Sequence, residues 1–267
     1  MTVREIISII DTVAPFSTQE EWDNSGLLIG SPSDEVTGIL LALDVTDRVI
    51  DEACALGASL IITHHPLMFV PRKTMTDEDY EGRLLARLIR SRISLISAHT
   101  NLDQASGGVN DVLAALCGIS GVSGEGFVRF GSLTVPMNAE QLADKLAETL
   151  SCTVRLMGPG DIVISQAAVA SGGGGEFWKT ALDAGCQAFI TGEIRHHEAL
   201  AAADSGLVTL ECGHFATEEP GIRALAQSLQ TVLDHVEYKV GVFVSEIPAY
   251  AFPSNRDRRF PCRKEAP

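Results

Sequence analysis

Positive charge is scarce in this chain of 267 residues: 20 Lys and Arg stand against 35 Asp and Glu, a formal net charge of −15. Such a balance opposes nonspecific binding to nucleic acid or to an anionic membrane surface, so no nucleic-acid or membrane partner is expected. Aromatic residues are few, at 6%, with only two Trp. Long apolar runs are missing as well. Runs such as residues 39–43 are far too short to span a bilayer. The N-terminus enters a helical pattern at once and lacks the apolar core of a signal peptide, which predicts a cytoplasmic protein. The six cysteines show no CxxC spacing. This disfavours a structural zinc knot and reads as reduced, mostly core thiols. Cys212 in particular reads as a strand core residue rather than a ligand.

What the chain does have is 45% apolar residues in short, regularly spaced runs, the mark of a globular protein. Helical patterns over residues 3–13, 48–56, 80–90, 110–117, 139–150, 177–184 and 220–233 alternate with strand patterns. The strands fall at 38–44, 59–63, 93–98, 129–135, 153–157, 162–170, 187–191, 207–211 and 237–244. Such alternation predicts an α/β fold: two interlinked domains with mostly parallel or mixed sheets flanked by helices. A Gly- and Ser-rich break at 118–126 separates them. The expected division is a first domain of residues 1–125 plus about 217–250, a second of 126–216, and a basic tail at 251–267. That tail holds five Lys/Arg against two Asp/Glu and three prolines, without periodicity, and is expected to be flexible.

Histidines collect at the ends of predicted strands. The run Ile61-Ile62-Thr63 stops in His64-His65-Pro66, and the proline forbids continuation of the ladder. A second strand runs into His99-Thr100-Asn101-Leu102-Asp103, and a third into Cys212-Gly213-His214, with Glu218 four residues on. A helix starting there places His214 and Glu218 on one face. A fourth strand ends in Glu193-Ile194-Arg195-His196-His197. Ligands and catalytic groups gather at such strand ends in α/β proteins.

His64, His65, Asp103, His214 and Glu218 form a mixed nitrogen and oxygen donor set. It is too large for one catalytic zinc, which takes three protein ligands and keeps a position for water. It suits two divalent ions about 3.5–4 Å apart, drawn from Zn, Mn, Fe, Co and Ni. His99 and Glu193 are the catalytic candidates. His99 could serve as ligand, orienter or general base, and Glu193 as a carboxylate acting through a ligand. Trp22 and Asn24 are candidate substrate contacts, the ring stacking on a base and the amide reading its edge; use of Trp22 as a core anchor is the alternative. Arg195, His196 and His197 are further candidates, set against a role as surface residues at a helix start. Ser171-Gly172-Gly173-Gly174-Gly175-Glu176 could present N–H groups to a phosphate or serve as a tight connection.

The segments Trp22-Asp23-Asn24-Ser25-Gly26-Leu27-Leu28-Ile29-Gly30, Thr63-His64-His65-Pro66-Leu67, Ala98-His99-Thr100-Asn101-Leu102-Asp103, Thr191-Gly192-Glu193-Ile194-Arg195-His196-His197 and Gly213-His214-Phe215-Ala216-Thr217-Glu218 resemble, in this order, the Nif-three-like or dinuclear metal centre family. The resemblance runs to about residue 250. One departure is Val244-Ser245-Glu246-Ile247-Pro248, where the family usually has an acidic residue followed by Asn-Pro. Many bacterial members are called GTP cyclohydrolase I type 2 homologues. The resemblance implies two metal ions on His64, His65, Asp103, His214 and Glu218, and a ring-like homohexamer with the sites facing an inner cavity. It also implies hydrolytic opening of the purine ring of GTP, with release of formate and a dihydropterin triphosphate. A dinuclear phosphoesterase acting on nucleotides and a non-catalytic metal-binding or regulatory interaction protein are the alternatives.

Overall fold

The central strands are buried on both faces, which is why their sequences show continuous apolar runs and no alternation. The computed structural model describes residues 1–236 and 238–247; the basic tail at 251–267 lies outside them. Helix α1 (Val3–Val13) opens on a capping box in which Thr2 and Glu5 satisfy each other's backbone N–H groups. Then come β1 (Gly26–Ile29), β2 (Gly38–Ala42), α2 (Asp47–Leu56), β3 (Leu60–Thr63), α3 (Tyr80–Ser91), β4 (Ser94–Ser97), α4 (Thr100–Gln104) and α5 (Val109–Leu116). Every residue of β2, β3 and β4 is buried.

The chain continues through β5 (Ile119–Ser123), β6 (Arg129–Asn138), α6 (Ala139–Thr149), β7 (Arg155–Met157), β8 (Val163–Ala170), α7 (Trp178–Asp183), β9 (Ala188–Thr191), α8 (His196–Asp204) and β10 (Val208–Glu211). It closes with the long α9 (His214–His235) and β11 (Gly241–Val244). One sheet has the order β1-β4-β3-β2-β11, the other β5-β6-β8-β9-β10-β7. In the first, β11, β2, β3 and β4 run parallel and β1 closes the edge antiparallel. In the second, the parallel core β8-β9-β10 is flanked by antiparallel β6 and β7. The α/β class with mixed sheets and flanking helices is what the alternating pattern predicts.

Five elements depart from the sequence reading, the first being the short α4 (Thr100–Gln104), whose five residues carry no helical period. Strand β1 is a half-buried edge of four residues, too short a run to register as a strand. Strand β5 occupies part of the Gly/Ser-rich break, because pairing with β6 supplies what its polar, exposed side chains do not. Helix α8 is alanine-rich and buries only Ala199 and Ala202, so it lacks an apolar stripe. Helix α9 begins six residues before Pro220 and contains it. The proline removes one backbone donor, and burial of Ile222, Leu225, Leu229 and Leu233 against α1 and the first sheet carries the helix through. Among the described residues no helix is long and apolar enough to cross a membrane.

Helix α9 leaves the second sheet at its first residue and packs into the core of the first. Its Gly221 lets it approach α5: a Cβ there would lie 2.7 Å from Val109 Cγ2 and 2.9 Å from Val109 Cα. Gly221→Val is therefore expected to lower stability by about 1–3 kcal/mol through overpacking. Urea denaturation checks this, and an unchanged midpoint would contradict the close approach.

Candidate metal centre

The carboxyl ends of β3 and β4 in one sheet face those of β9 and β10 in the other. Past Thr63 the backbone goes on donating, His64 N–H to the Ala42 carbonyl and His65 N–H to Leu43. The two histidines are thus held in extended register after the strand has ended. Ser97 Oγ binds the His64 carbonyl at 2.6 Å, fixing β4 beside it. His99 precedes α4, and Asp103 lies on that helix with its N–H on the His99 carbonyl. From the other sheet, Cys212 and Gly213 donate to Thr191 and Gly192. Gly213 turns with φ +88° and α9 starts at His214, which brings Glu218 one turn on to the same face.

Four imidazoles meet here, and each has its Nδ1 against an oxygen. His64 Nδ1 lies 2.9 Å from the Ala98 carbonyl, His65 Nδ1 2.8 Å from Asp44, His99 Nδ1 2.8 Å from Asp23 and His214 Nδ1 3.3 Å from Glu193. A carbonyl or carboxylate only accepts, so each Nδ1 carries the hydrogen and each neutral ring turns a bare Nε2 inward. This is how metal-ligating histidines are oriented.

The Glu218 carboxylate, almost wholly buried, stands at the centre. Its Oε1 is 3.8 Å from His64 Nε2, which is 3.4 Å from Asp103 Oδ1. Its Oε2 is 3.1 Å from His65 Nε2 and 3.0 Å from His214 Nε2. Donor atoms of His64, Asp103 and Glu218 lie within 4.8 Å of one another, as do those of His65, His214 and Glu218, and those of His64, His65 and His99. His65 Nε2 and His214 Nε2 are 3.2 Å apart, too close for both to point a hydrogen along the line between them. His64 Nε2, Asp103 Oδ1 and Glu218 Oε2 are buried without a well-aligned hydrogen bond. Near distances with poor hydrogen-bond alignment are what donors aimed at a common cation show, and the residues fit divalent metal.

Electrostatics agree. Burial pushes the Asp103 carboxyl up. Burial acts the same way on Glu218, but the surrounding His64, His65 and His214 hold it well below the usual carboxylate range. For His65, burial opposes protonation, yet the Asp44 and Glu218 carboxylates beside it outweigh burial and raise the imidazole to about 10. Buried carboxylates and imidazoles this close favour protonated imidazoles, and a divalent cation would compete for the same atoms.

The glycine-rich loop serves this arrangement. Gly172 has φ +55°, and a Cβ on it would lie 1.9 Å from Glu218 Oε1. Gly192 is equally constrained, by the Gly172 carbonyl and Thr217 Oγ1. The loop is thus the tight connection of the two readings. Beside it, a cavity of about 370 Å³ is lined by Gly173, Glu176, Glu193, Ile194, Arg195 and Glu198. Its carboxylates outnumber its single guanidinium, which suits a phosphate poorly.

The five ligand candidates and His99 converge. Glu193 sits behind His214, 3.3 Å from its Nδ1. Arg195 is largely exposed and 3.8 Å from Glu198, while His196 and His197 are exposed at the start of α8. Asn24 spends its amide on the Met68 carbonyl at 2.6 Å. Trp22 is 57% exposed rather than a core anchor. Sequence reasoning missed Asp44 and the role of Asp23. Asp44 is the first acidic residue after the buried β2 strand, the same strand-end signal that marks the histidines. Asp23 is less legible. Its buried carboxylate takes His99 Nδ1, Thr100 Oγ1 at 2.5 Å and Ser25 Oγ at 3.0 Å. Burial opposes its ionisation, and these bonds outweigh burial and hold it ionised.

Residues 1–249 match the profile of the Duf34/NIF3 (NGG1p interacting factor 3) family. A Clostridium perfringens protein named GTP cyclohydrolase 1 type 2 homolog is 36% identical over 244 residues, 88% of this chain and 93% of the relative. A Helicobacter pylori protein named GTP cyclohydrolase 1 type 2 is 32% identical over 250 residues, 90% of this chain and 95% of the relative. The crystal structure of SA1388 from Staphylococcus aureus matches with a TM-score of 0.90 at 28% identity, over 95% of this chain and 99% of that one.

Two outcomes are expected. Gly172→Ala should push Glu218 aside and weaken Zn²⁺ binding on the order of 10- to 100-fold, the cost of disturbing a ligand's support, with far-ultraviolet dichroism unchanged. Undiminished affinity by calorimetry would contradict the contact. Zn²⁺ binding should also release protons at pH 7, since His65 in the metal-free protein keeps its proton up to about pH 10. Affinity should therefore rise with pH over that range, by up to about tenfold per unit for each proton displaced. Calorimetry in two buffers of different ionisation enthalpy measures the release, and equal heats in both would exclude it.

Proposed function

The chain belongs to the Duf34/NIF3 family, and from that premise we propose that it is a hydrolase working through two divalent metal ions held side by side. One observation carries the reading: Glu218 turns Oε1 toward His64, beside Asp103, and Oε2 toward His65 and His214. A carboxylate shared in this way, with two further donors for each ion, would leave room for water, as hydrolytic sites require. Donors that are all imidazole and carboxylate suit Zn, Mn, Fe, Co or Ni. When bound, the ions would supply a water that loses its proton near neutral pH and positive charge against the charge developing on the substrate.

The chain's own residues then take defined parts. His64, Asp103 and Glu218 would hold one ion, and His65, His214 and Glu218 the other. Asp44, Glu193 and the Ala98 carbonyl keep the Nε2 atoms inward. His99 faces the same space without being needed by either set, and it can take a proton at Nε2 or return one to a leaving group. Asp23 holds its Nδ1–H and, staying ionised, stabilises the imidazolium formed when His99 takes a proton.

The names of the relatives support a particular substrate. On that reading the imidazole ring of GTP is opened by water, formate leaves and a dihydropterin triphosphate forms. Two metals alone would equally serve a phosphoesterase, but Asp23, Asp44 and Glu193 around the ligand carboxylates disfavour a site built mainly to grip phosphate. The ring-like homohexamer is part of the same proposal and rests on the family resemblance.

Elemental analysis should find up to two ions per chain, none firmly held in Glu218→Ala and about half in Asp103→Ala. Loaded protein should convert GTP to formate and a fluorescent pterin, and chelation should abolish both. Release of neither product with cleavage of phosphate esters would favour the phosphoesterase, and no turnover of either kind a metal-binding protein. His99→Ala should keep its metal and lose on the order of 10²–10⁴ in turnover. Unchanged turnover would remove His99 from the mechanism.

A further inference from the structure

Two large rings lie bare at the mouth of the metal centre. Trp22 is 57% exposed and Phe69 is 49% exposed. Their centroids are 5.6 Å apart, and they lie 6.2 Å and 6.1 Å from the His99 ring, each with its edge or face turned to it. Exposure of a single apolar side chain means little, but adjoining aromatics beside a polar cleft mark a surface built to be covered.

The two rings are held by the machinery that holds His99. Trp22, Asp23 and Asn24 are consecutive. Asp23 clamps the His99 ring and both the N–H and the hydroxyl of Thr100. The Asn24 amide pins the Met68 carbonyl, the residue before Phe69, on the irregular stretch 64–79 that begins with the histidine pair. That stretch is longer than most connections and carries no helix or strand, which is usual for a binding loop. Its position is set by Asn24 and by the ion pairs of Arg72 with Asp79 and Glu81. One short segment therefore fixes a stacking ring, a proton-transfer ring and the loop bearing a second stacking ring.

We propose that Trp22 and Phe69 form an aromatic platform that binds the planar heterocycle of the substrate and presents it to the metal centre, in the manner of sequence-tolerant base stacking. The proposal rests on the hydrolase reading for what happens to the ligand, and on the geometry alone for its binding. A flat ring on the platform lies one stacking distance from side chains that touch His99, within reach of the Nε2 cluster. Both Asp23 oxygens are occupied and the Asn24 amide nitrogen is held by the Met68 carbonyl, so the two rings offer the heterocycle a face to stack on. Discrimination among purines should accordingly be small. The charge around the site adds a second consequence. Asp23, Asp44, Asp103, Glu193 and Glu218 gather there, so without metal a neutral nucleoside should bind better than its triphosphate.

The chain's two tryptophans allow a test that does not depend on turnover. Trp22 is exposed and Trp178 is 8% exposed, so a stacked base quenches the first and spares the second. Inosine, guanosine and adenosine, each titrated into chelator-treated and into metal-loaded protein, should quench Trp22 fluorescence with affinities within a few-fold of one another. Ribose and inorganic triphosphate should not quench it. In metal-free protein GTP should bind more weakly than guanosine, and loading should reverse that order. Trp22→Ala and Phe69→Ala, followed by calorimetry, should weaken guanosine binding roughly 5- to 150-fold, the range for one lost stacking partner. Trp22→Phe should recover most of it. Metal content should be unchanged in all three, and any effect on turnover should fall on KM more than on kcat. No quenching by any nucleoside would overturn the proposal whether or not the protein turns over GTP. So would a change of oligomeric state in Trp22→Ala and Phe69→Ala with nucleoside affinity intact, which would assign the rings to contact between copies. Nucleoside binding in a protein that hydrolyses nothing would uphold the platform and fail the hydrolase reading.

Discussion

The placement of one buried carboxylate governs this molecule. Glu218 lies among His64, His65 and His214 with almost no exposure to water. An ionised group there is costly unless positive charge faces it. The neighbouring Asp103, buried nearby and pushed toward its neutral form, sharpens the cost. Local features otherwise hard to account for follow from that requirement. Gly172 and Gly192 have no side chains because Glu218 and Thr217 occupy the space. Gly213 turns the chain so that α9 starts where its first turn reaches the imidazoles.

The sheets exist around the same point. Parallel strands expose their last carbonyls and the residues after them at one edge, and here two such edges face each other. A helix that begins on one sheet and finishes in the core of the other ties them. The ladder bonds that outlast β3 and β10 hold the ligand residues as stiffly as strand residues, while leaving their side chains free of the pleat. That stiffness is what a multidentate site needs, since each ligand must arrive with its rotamer and tautomer already chosen. The oxygens behind each Nδ1 make the choice.

Charge gives the centre its selectivity in broad terms. The chain is acidic overall, and carboxylates continue outward from the ligands to Asp23, Asp44 and Glu193. A lining of this sign favours cations over anions. The exposed rings of Trp22 and Phe69 are separate from the donor cluster, on loops outside the strands.

The pattern of the chain by itself determined the α/β class, most of the strands and the ligand candidates. Buried parallel strands need unbroken apolar runs, and polar residues that end such runs stand out against them. The strand-end rule reached His64, His65, His99, Asp103, His214 and Glu218, and it was equally satisfied by His196 and His197, which the fold leaves at the surface of α8. Proximity across sheets is not a local property. Glu218 meets His64 and His65 only because β9, β10 and α9 pack against the first sheet. Asp44 and Asp23 acquire their parts only when an imidazole from another segment arrives beside them. Strands β1 and β5 and helix α8 were silent because pairing and packing, rather than their own composition, stabilise them. The sequence therefore named the donor candidates, and tertiary structure alone decided which of their atoms face one another, because ring orientation, carboxylate placement and contact between aromatic rings depend on distances between residues far apart in the chain.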